Sequence, residues 1–134
     1  MKTLLTAAML LLPQAAFAAS PLEGVWTNPR HSVTVRIAPC GGNYCGRVIA
    51  ASPKARADAA NGGGGRLIGA ELMSGLTQDG PNEWSGSVFV PDRNIHAEGI
   101  FRLLGPRQLS VKGCAVRGVL CKEQVWTKVG GGKR

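Results

Sequence analysis

From about residue 20 onward the chain is written in short alternating runs. Val33, Val35 and Ile37 alternate with Thr34 and Arg36, Leu109 and Val111 with Ser110 and Lys112, and Val125, Thr127 and Val129 with Gln124, Trp126 and Lys128. A period of two sends successive side chains to opposite faces, so each run predicts a half-buried β-strand. Further strands are expected at Leu22 to Thr27, Tyr44 to Ala51, Arg66 to Gly75, Glu83 to Val90, Ile95 to Leu104 and Ala115 to Leu120, about nine in all. No stretch of ten or more residues in this part keeps a 3.6-residue period. The separators carry turn chemistry: Asn28-Pro29, Gly41-Gly42-Asn43, Asp79-Gly80-Pro81-Asn82, Pro91-Asp92-Arg93-Asn94 and Gly105-Pro106. Most are short, so sequential strands should pair antiparallel. Ser52 to Gly65 is the exception, read as a long surface loop with one helical turn at Lys54 to Ala60. The tail, residues 130–134, is expected to be disordered.

Many short antiparallel strands leave edges to hide, and closure into a barrel removes them, with a sandwich as the rival arrangement. The expectation is an all-β fold, one small antiparallel barrel of about 8–9 strands over residues 19–129. At about eight strands the interior is just wide enough to be filled by side chains or to hold one small ligand. Trp26, Val33, Val35, Ile37, Trp84, Val88, Phe101, Leu103, Leu109 and Val111 are the expected inward residues and the expected ligand wall. Trp26 and Trp126, on the first and last strands, would meet if the sheet closes.

The N-terminal segment differs from the rest. Lys2, an apolar run from Leu4 to Leu12, Pro13 and Ala16-Phe17-Ala18 read as a secretory signal over residues 1–18, cleaved near Ala18. The run is too short for a membrane span. Removing 18 of the 134 residues leaves 116, all 19 glycines, 15 Lys+Arg against 8 Asp+Glu and a net charge of +7. The hydrophobic share falls from 44% to about 40%, enough for the core of one domain. A periplasmic or secreted product is expected, and a cytoplasmic enzyme is disfavoured. In such a compartment the four cysteines point to disulfides rather than metal. Of three possible connectivities the local pairs Cys40–Cys45 and Cys114–Cys121 are favoured, since each would staple a turn between strands.

Chemistry-bearing residues are sparse. His31 falls in a turn and His96 within a strand, and neither belongs to a nucleophile motif; Asp92 and Glu98 are the carboxylates that could join His96, so no catalytic residue is assigned. Gly62 to Gly65 lacks the Lys-Ser/Thr of a phosphate-binding loop and reads as a flexible loop. No cofactor and no metal site is expected. The basic residues are scattered and the chain has only seven aromatics, which disfavours nucleic acid as partner. The charge fits solubility or contact with anionic envelope components.

The order of motifs is more specific. Gly24-x-Trp26 resembles the Gly-x-Trp signature of lipocalins. It is followed by Cys40-Gly41-Gly42-Asn43-Tyr44-Cys45-Gly46-Arg47-Val48, Asp58-Ala59-Ala60-Asn61, Arg66-Leu67-Ile68-Gly69, Trp84-Ser85-Gly86, Val90-Pro91-Asp92, Leu109-x-Val111-x-Gly113-Cys114 and Trp126-Thr127. In this order they resemble the bacterial family named domain of unknown function 2147, over nearly all of the chain after the signal. The resemblance implies an exported protein with a lipocalin-like barrel and supplies no reaction. Two places depart from the pattern: the glycine-rich loop before Arg66, and Pro91 to His96, which lacks the Gly and Tyr expected after Pro-Asp.

These readings favour a non-enzymatic barrel that binds a small hydrophobic or amphipathic ligand. The alternative is a filled barrel acting as an interaction module toward an envelope protein or an anionic glycan. Inhibition of a basic lysozyme is disfavoured by like charge. A hydrolase or isomerase would require His96 to meet Asp92 or Glu98 in a pocket.

Overall fold

The computed structural model describes residues 20–115 and 120–129. The expected signal segment and the expected disordered tail lie outside them. Eight strands follow one another: β1 (Gly24–Thr27), β2 (Val33–Cys40), β3 (Asn43–Ala51), β4 (Glu71–Gly80), β5 (Glu83–Val90), β6 (Ile95–Gly105), β7 (Gln108–Ala115) and β8 (Leu120–Lys128). Each pairs antiparallel with its sequence neighbour. The sheet closes where β1 meets β8, with Trp26 opposite Lys128 and Thr27 opposite Thr127. Short turns impose this up-and-down order. Between β2 and β3, Gly41 and Gly42 both take positive φ, +61° and +90°, which residues with a Cβ adopt at a cost.

The barrel has two ends of different character. At the first, the β2–β3, β4–β5 and β6–β7 turns gather with the N-terminal segment. Trp26 Nε1–H donates to the Leu22 carbonyl at 2.9 Å, and Lys128 lies 5.3 Å from the Trp26 ring centroid while donating to the Pro21 carbonyl at 3.3 Å. Leu22 is thereby drawn fully into the core. Above it, cross-strand rows fill the interior. Trp84 faces Phe101, which faces Val111; Leu103 faces Leu109, which faces Trp126. Partners directly opposite point to the same side, so these rows are stacked inward layers.

The second end is partly roofed by a helix, α1 (Pro53–Asn61), where the sequence reading expects a surface loop with one helical turn at Lys54 to Ala60. Ser52 caps it, its Oγ accepting from Ala55 N–H at 3.1 Å, and Pro53 occupies the first turn, where its missing N–H costs nothing. Ala59 is the only buried residue of the helix, so no apolar stripe announces it.

The glycines that follow do not form a free linker. A Cβ on Gly62 would fall on the Asp92 carbonyl, and one on Gly64 on the Pro91 carbonyl. The two places where the sequence departs from the family pattern therefore pack against each other, backbone to backbone.

Three further expectations are refined. The strand expected from Arg66 starts at Glu71, because the chain turns first: Ala70 N–H donates to the Leu67 carbonyl at 3.0 Å and Gly69 N–H to the Val48 carbonyl at 2.9 Å. Of the strand expected over Ala115 to Leu120 only the two end residues are described. Ala115 ends β7 and Leu120 begins β8, opposite each other, and the residues between them lie outside the described set. In β8 it is Trp126 that enters the core, while Val125 and Val129 face solvent.

Both local disulfides are present, Cys40–Cys45 and Cys114–Cys121. No helix among the described residues is long and apolar enough to cross a membrane.

Candidate functional site

The ten expected wall residues divide by depth. Trp26, Val35, Ile37, Trp84, Phe101 and Leu109 are at most 1% exposed, and Val111 is nearly as buried. A side chain bordering a water-sized void would expose surface to it, so the barrel is solid at the level of those six residues. Val33, Val88 and Leu103 are only partly buried and pack on the outside of this core. Leu103 lies toward the tryptophan end, where a surface recess of about 270 Å³ is lined by Pro21, Asn82, Leu103, Leu104, Gly105 and Pro106. Val33 and Val88 lie toward the helix-covered end.

At that end the inner wall changes composition. Gly86 faces Gly99, Gly99 faces Gly113, and Gly113 faces Lys122, so three adjacent strands carry glycine at one level and the fourth carries lysine. The first two glycines make room for bulk. A Cβ on Gly86 would strike Leu76 and the Ser74 carbonyl, and one on Gly99 would lie 2.6 Å from Val88 and 2.8 Å from the Phe101 ring.

Gly113 is different. Among the described residues a Cβ there would meet only the Ala97 and Val88 Cβ atoms, at 3.8 and 4.0 Å. Its neighbours Val88, Ala97 and Ala115 are likewise only partly buried. Alternation along β8 puts Gln124 and Lys122 on the inner register with Trp126, and Trp126 Nε1–H donates to Gln124 Oε1 at 3.1 Å. Both residues are exposed. Lys122 has no ion-pair partner among the described residues. Among the described residues the barrel mouth therefore presents small apolar residues on its inner wall, with an amide and an ammonium on its β8 side.

Sequence reasoning named Val88 here but missed Ala97, Gly113, Lys122 and Gln124. The signal was available: Gly99 and Gly113 stand two residues from Phe101 and Val111, in phase with the inward set.

The groups that an enzyme reading would need do not gather in this mouth. Asp92, His96 and Glu98 are all exposed, and His96 stacks its ring on Phe89, with centroids 4.7 Å apart. His31 is exposed in the β1–β2 turn at φ 53°. Among the described residues one cluster has metal-ligating atoms close together, Cys40, Cys45 and Glu71, but its sulfurs are joined in the disulfide.

A closed eight-stranded antiparallel barrel, solid around a Gly-x-Trp strand at one end and partly roofed by a helix at the other, defines a lipocalin-like fold. A solved Helicobacter pylori protein, HP1028, described as belonging to the lipocalin family, superposes with a TM-score of 0.59 at 12% identity, over 81% of this chain and 83% of that one. Residues 24–128 match the family described as an uncharacterized protein conserved in bacteria, DUF2147, and the chain belongs to that family. A comparison with curated proteins finds no match.

Proposed function

We propose that this is an exported, non-enzymatic barrel that binds one small amphipathic ligand at its mouth. The apolar part of the ligand lies over Gly113, Ala97 and Val88, and an acidic head group pairs with Lys122. The observation that carries this reading is Gly113: among the described residues a Cβ there would meet only Ala97 and Val88, at the van der Waals distances of 3.8 and 4.0 Å, whereas one at Gly86 would strike Leu76 at 2.6 Å. Burying a ligand methylene in such a place contributes about 0.8 kcal/mol. The sequence features of residues 1–18 and the two disulfides support export.

Laurate is a suitable probe, titrated into the protein and followed by the amide resonances of Ala97, Gly113 and Lys122. Saturable one-to-one binding is expected. Gly113→Val should abolish it without loss of folding, because φ at Gly113 is not positive and a Cβ there comes no closer than 3.8 Å to a described side chain. Lys122→Gln should weaken it about tenfold, the loss of one charge-assisted contact. Undiminished binding to Gly113→Val would remove the mouth from consideration.

The second reading, an interaction module acting through its outer surface, is favoured by the solid packing around Trp26, Trp84 and Phe101. Native mass spectrometry of protein isolated from the exporting cell separates the two. A reproducible bound lipid supports ligand carriage, and clean apo protein that takes up no apolar probe supports the interaction module.

A further inference from the structure

The outer wall of β2 and β3 carries a recess of about 240 Å³ that is separate from the mouth. It is lined by Arg36, Arg47, Pro39, Ile49 and the Cys40–Cys45 bridge, among others. Arg36 and Arg47 are direct cross-strand partners. Their side chains therefore leave the sheet side by side, with Cβ atoms about 5 Å apart, an arrangement that destabilises a sheet when the charges are alike. Only Arg47 has a counter-charge, Glu71 at 3.6 Å. Arg36 has Val25 as its other sheet neighbour, and among the described residues it makes no side-chain hydrogen bond and no ion pair. Two guanidinium groups against one carboxylate leave a net positive charge, and the surface beside it is apolar: Pro39, the disulfide, and an Ile49 that is 43% exposed.

We propose that this recess binds the phosphate group of an amphipathic phosphate ester, a lipid head group whose apolar portion lies along Ile49, Pro39 and the disulfide. A carboxylate is satisfied by the fork of a single arginine. A phosphate presents more oxygens and up to two negative charges, and so can accept from both guanidinium groups at once. The repulsion between Arg36 and Arg47 then becomes attraction toward a shared anion. The Cys40–Cys45 bridge ties the adjoining β2–β3 turn and keeps the two strands in register beside the pair. This site does not depend on the mouth, which belongs to β5–β8.

The test uses the full chain and dihexanoyl phosphatidic acid below its micellar concentration, with inorganic phosphate as comparator. Amide shifts at Arg36, Cys45, Arg47 and Ile49 should saturate, and the phosphatidic acid should bind at least tenfold more tightly than inorganic phosphate. Arg36→Gln should weaken binding about tenfold while its melting temperature equals or exceeds that of the parent, since a like-charge contact is lost. Arg93→Gln, on the remote β5–β6 turn, should bind as the parent does. Binding unchanged in Arg36→Gln overturns the proposal, and equal affinity for inorganic phosphate overturns its amphiphile. Shifts confined to Ala97, Gly113 and Lys122 also overturn it, because they place the lipid in the mouth. Gly113→Val leaves the outer recess intact, so failure of the mouth reading and failure of this one are told apart.

Discussion

At the scale of single residues, three glycines of the same type at the same level of the wall have different energetic roles. Gly99 exists because Phe101 and Val88 occupy the volume a side chain would need; at Gly113 a Cβ would find ordinary van der Waals contact with Ala97 and Val88 among the described residues. Replacement with alanine should separate them. Gly113→Ala should gain about 0.5–1 kcal/mol, the cost of glycine in a strand interior, and Gly99→Ala should lose about 1–3 kcal/mol through overpacking. Urea unfolding of the two variants checks the opposite signs. The parity of these glycines was legible in the sequence, because each stands two positions from an inward residue. Which of them is covered was not, since Leu76 and Val88 reach across from neighbouring strands. The same holds at Trp126: the alternation of β8 was readable, and the packing of a large indole in the core decided its phase.

Among the elements, the strands were far more legible than the helix. A strand half buried in a barrel must alternate, so its pattern is written locally. The helix α1 touches the core through two small residues, Ala59 and the partly buried Ala55, and needs no stripe. Its local signals were Ser52 before Pro53, a cap and a first-turn proline, and these say where a helix can start rather than that one does. What holds α1 over the mouth is the close approach of Gly62 and Gly64 to the β5–β6 turn. Gly64→Ala should therefore push the helix off that turn, destabilising by about 1–3 kcal/mol. Hydrogen exchange should then quicken in α1 and in residues 91–94 while β6 and β7 stay protected. Slow exchange in α1 with unchanged stability would show that the approach does not hold the helix.

For the whole molecule, closure is what converts eight marginal strands into a stable fold. The β1–β8 seam is short, Trp26 and Thr27 against Lys128 and Thr127, and the N-terminal segment reinforces it through Leu22. The two disulfides staple hairpins and leave the seam alone, and each should contribute about 2 kcal/mol on the chain-entropy model. Reduction should lower the urea midpoint accordingly while the folded spectrum survives below the transition; unfolding on reduction alone would show that the bridges, and not the core, hold the barrel. The sequence by itself determined the strands, their antiparallel order, the disulfide pairs and the lipocalin-like class, because alternation, turn residues and short cysteine spacings act over a few neighbours. The tertiary structure alone decided that the tryptophan half is solid and that Gly113 faces Lys122 at the mouth. It also decided that Arg36 stands beside Arg47 on the outer wall. Each of these depends on the register between strands, which no single strand encodes.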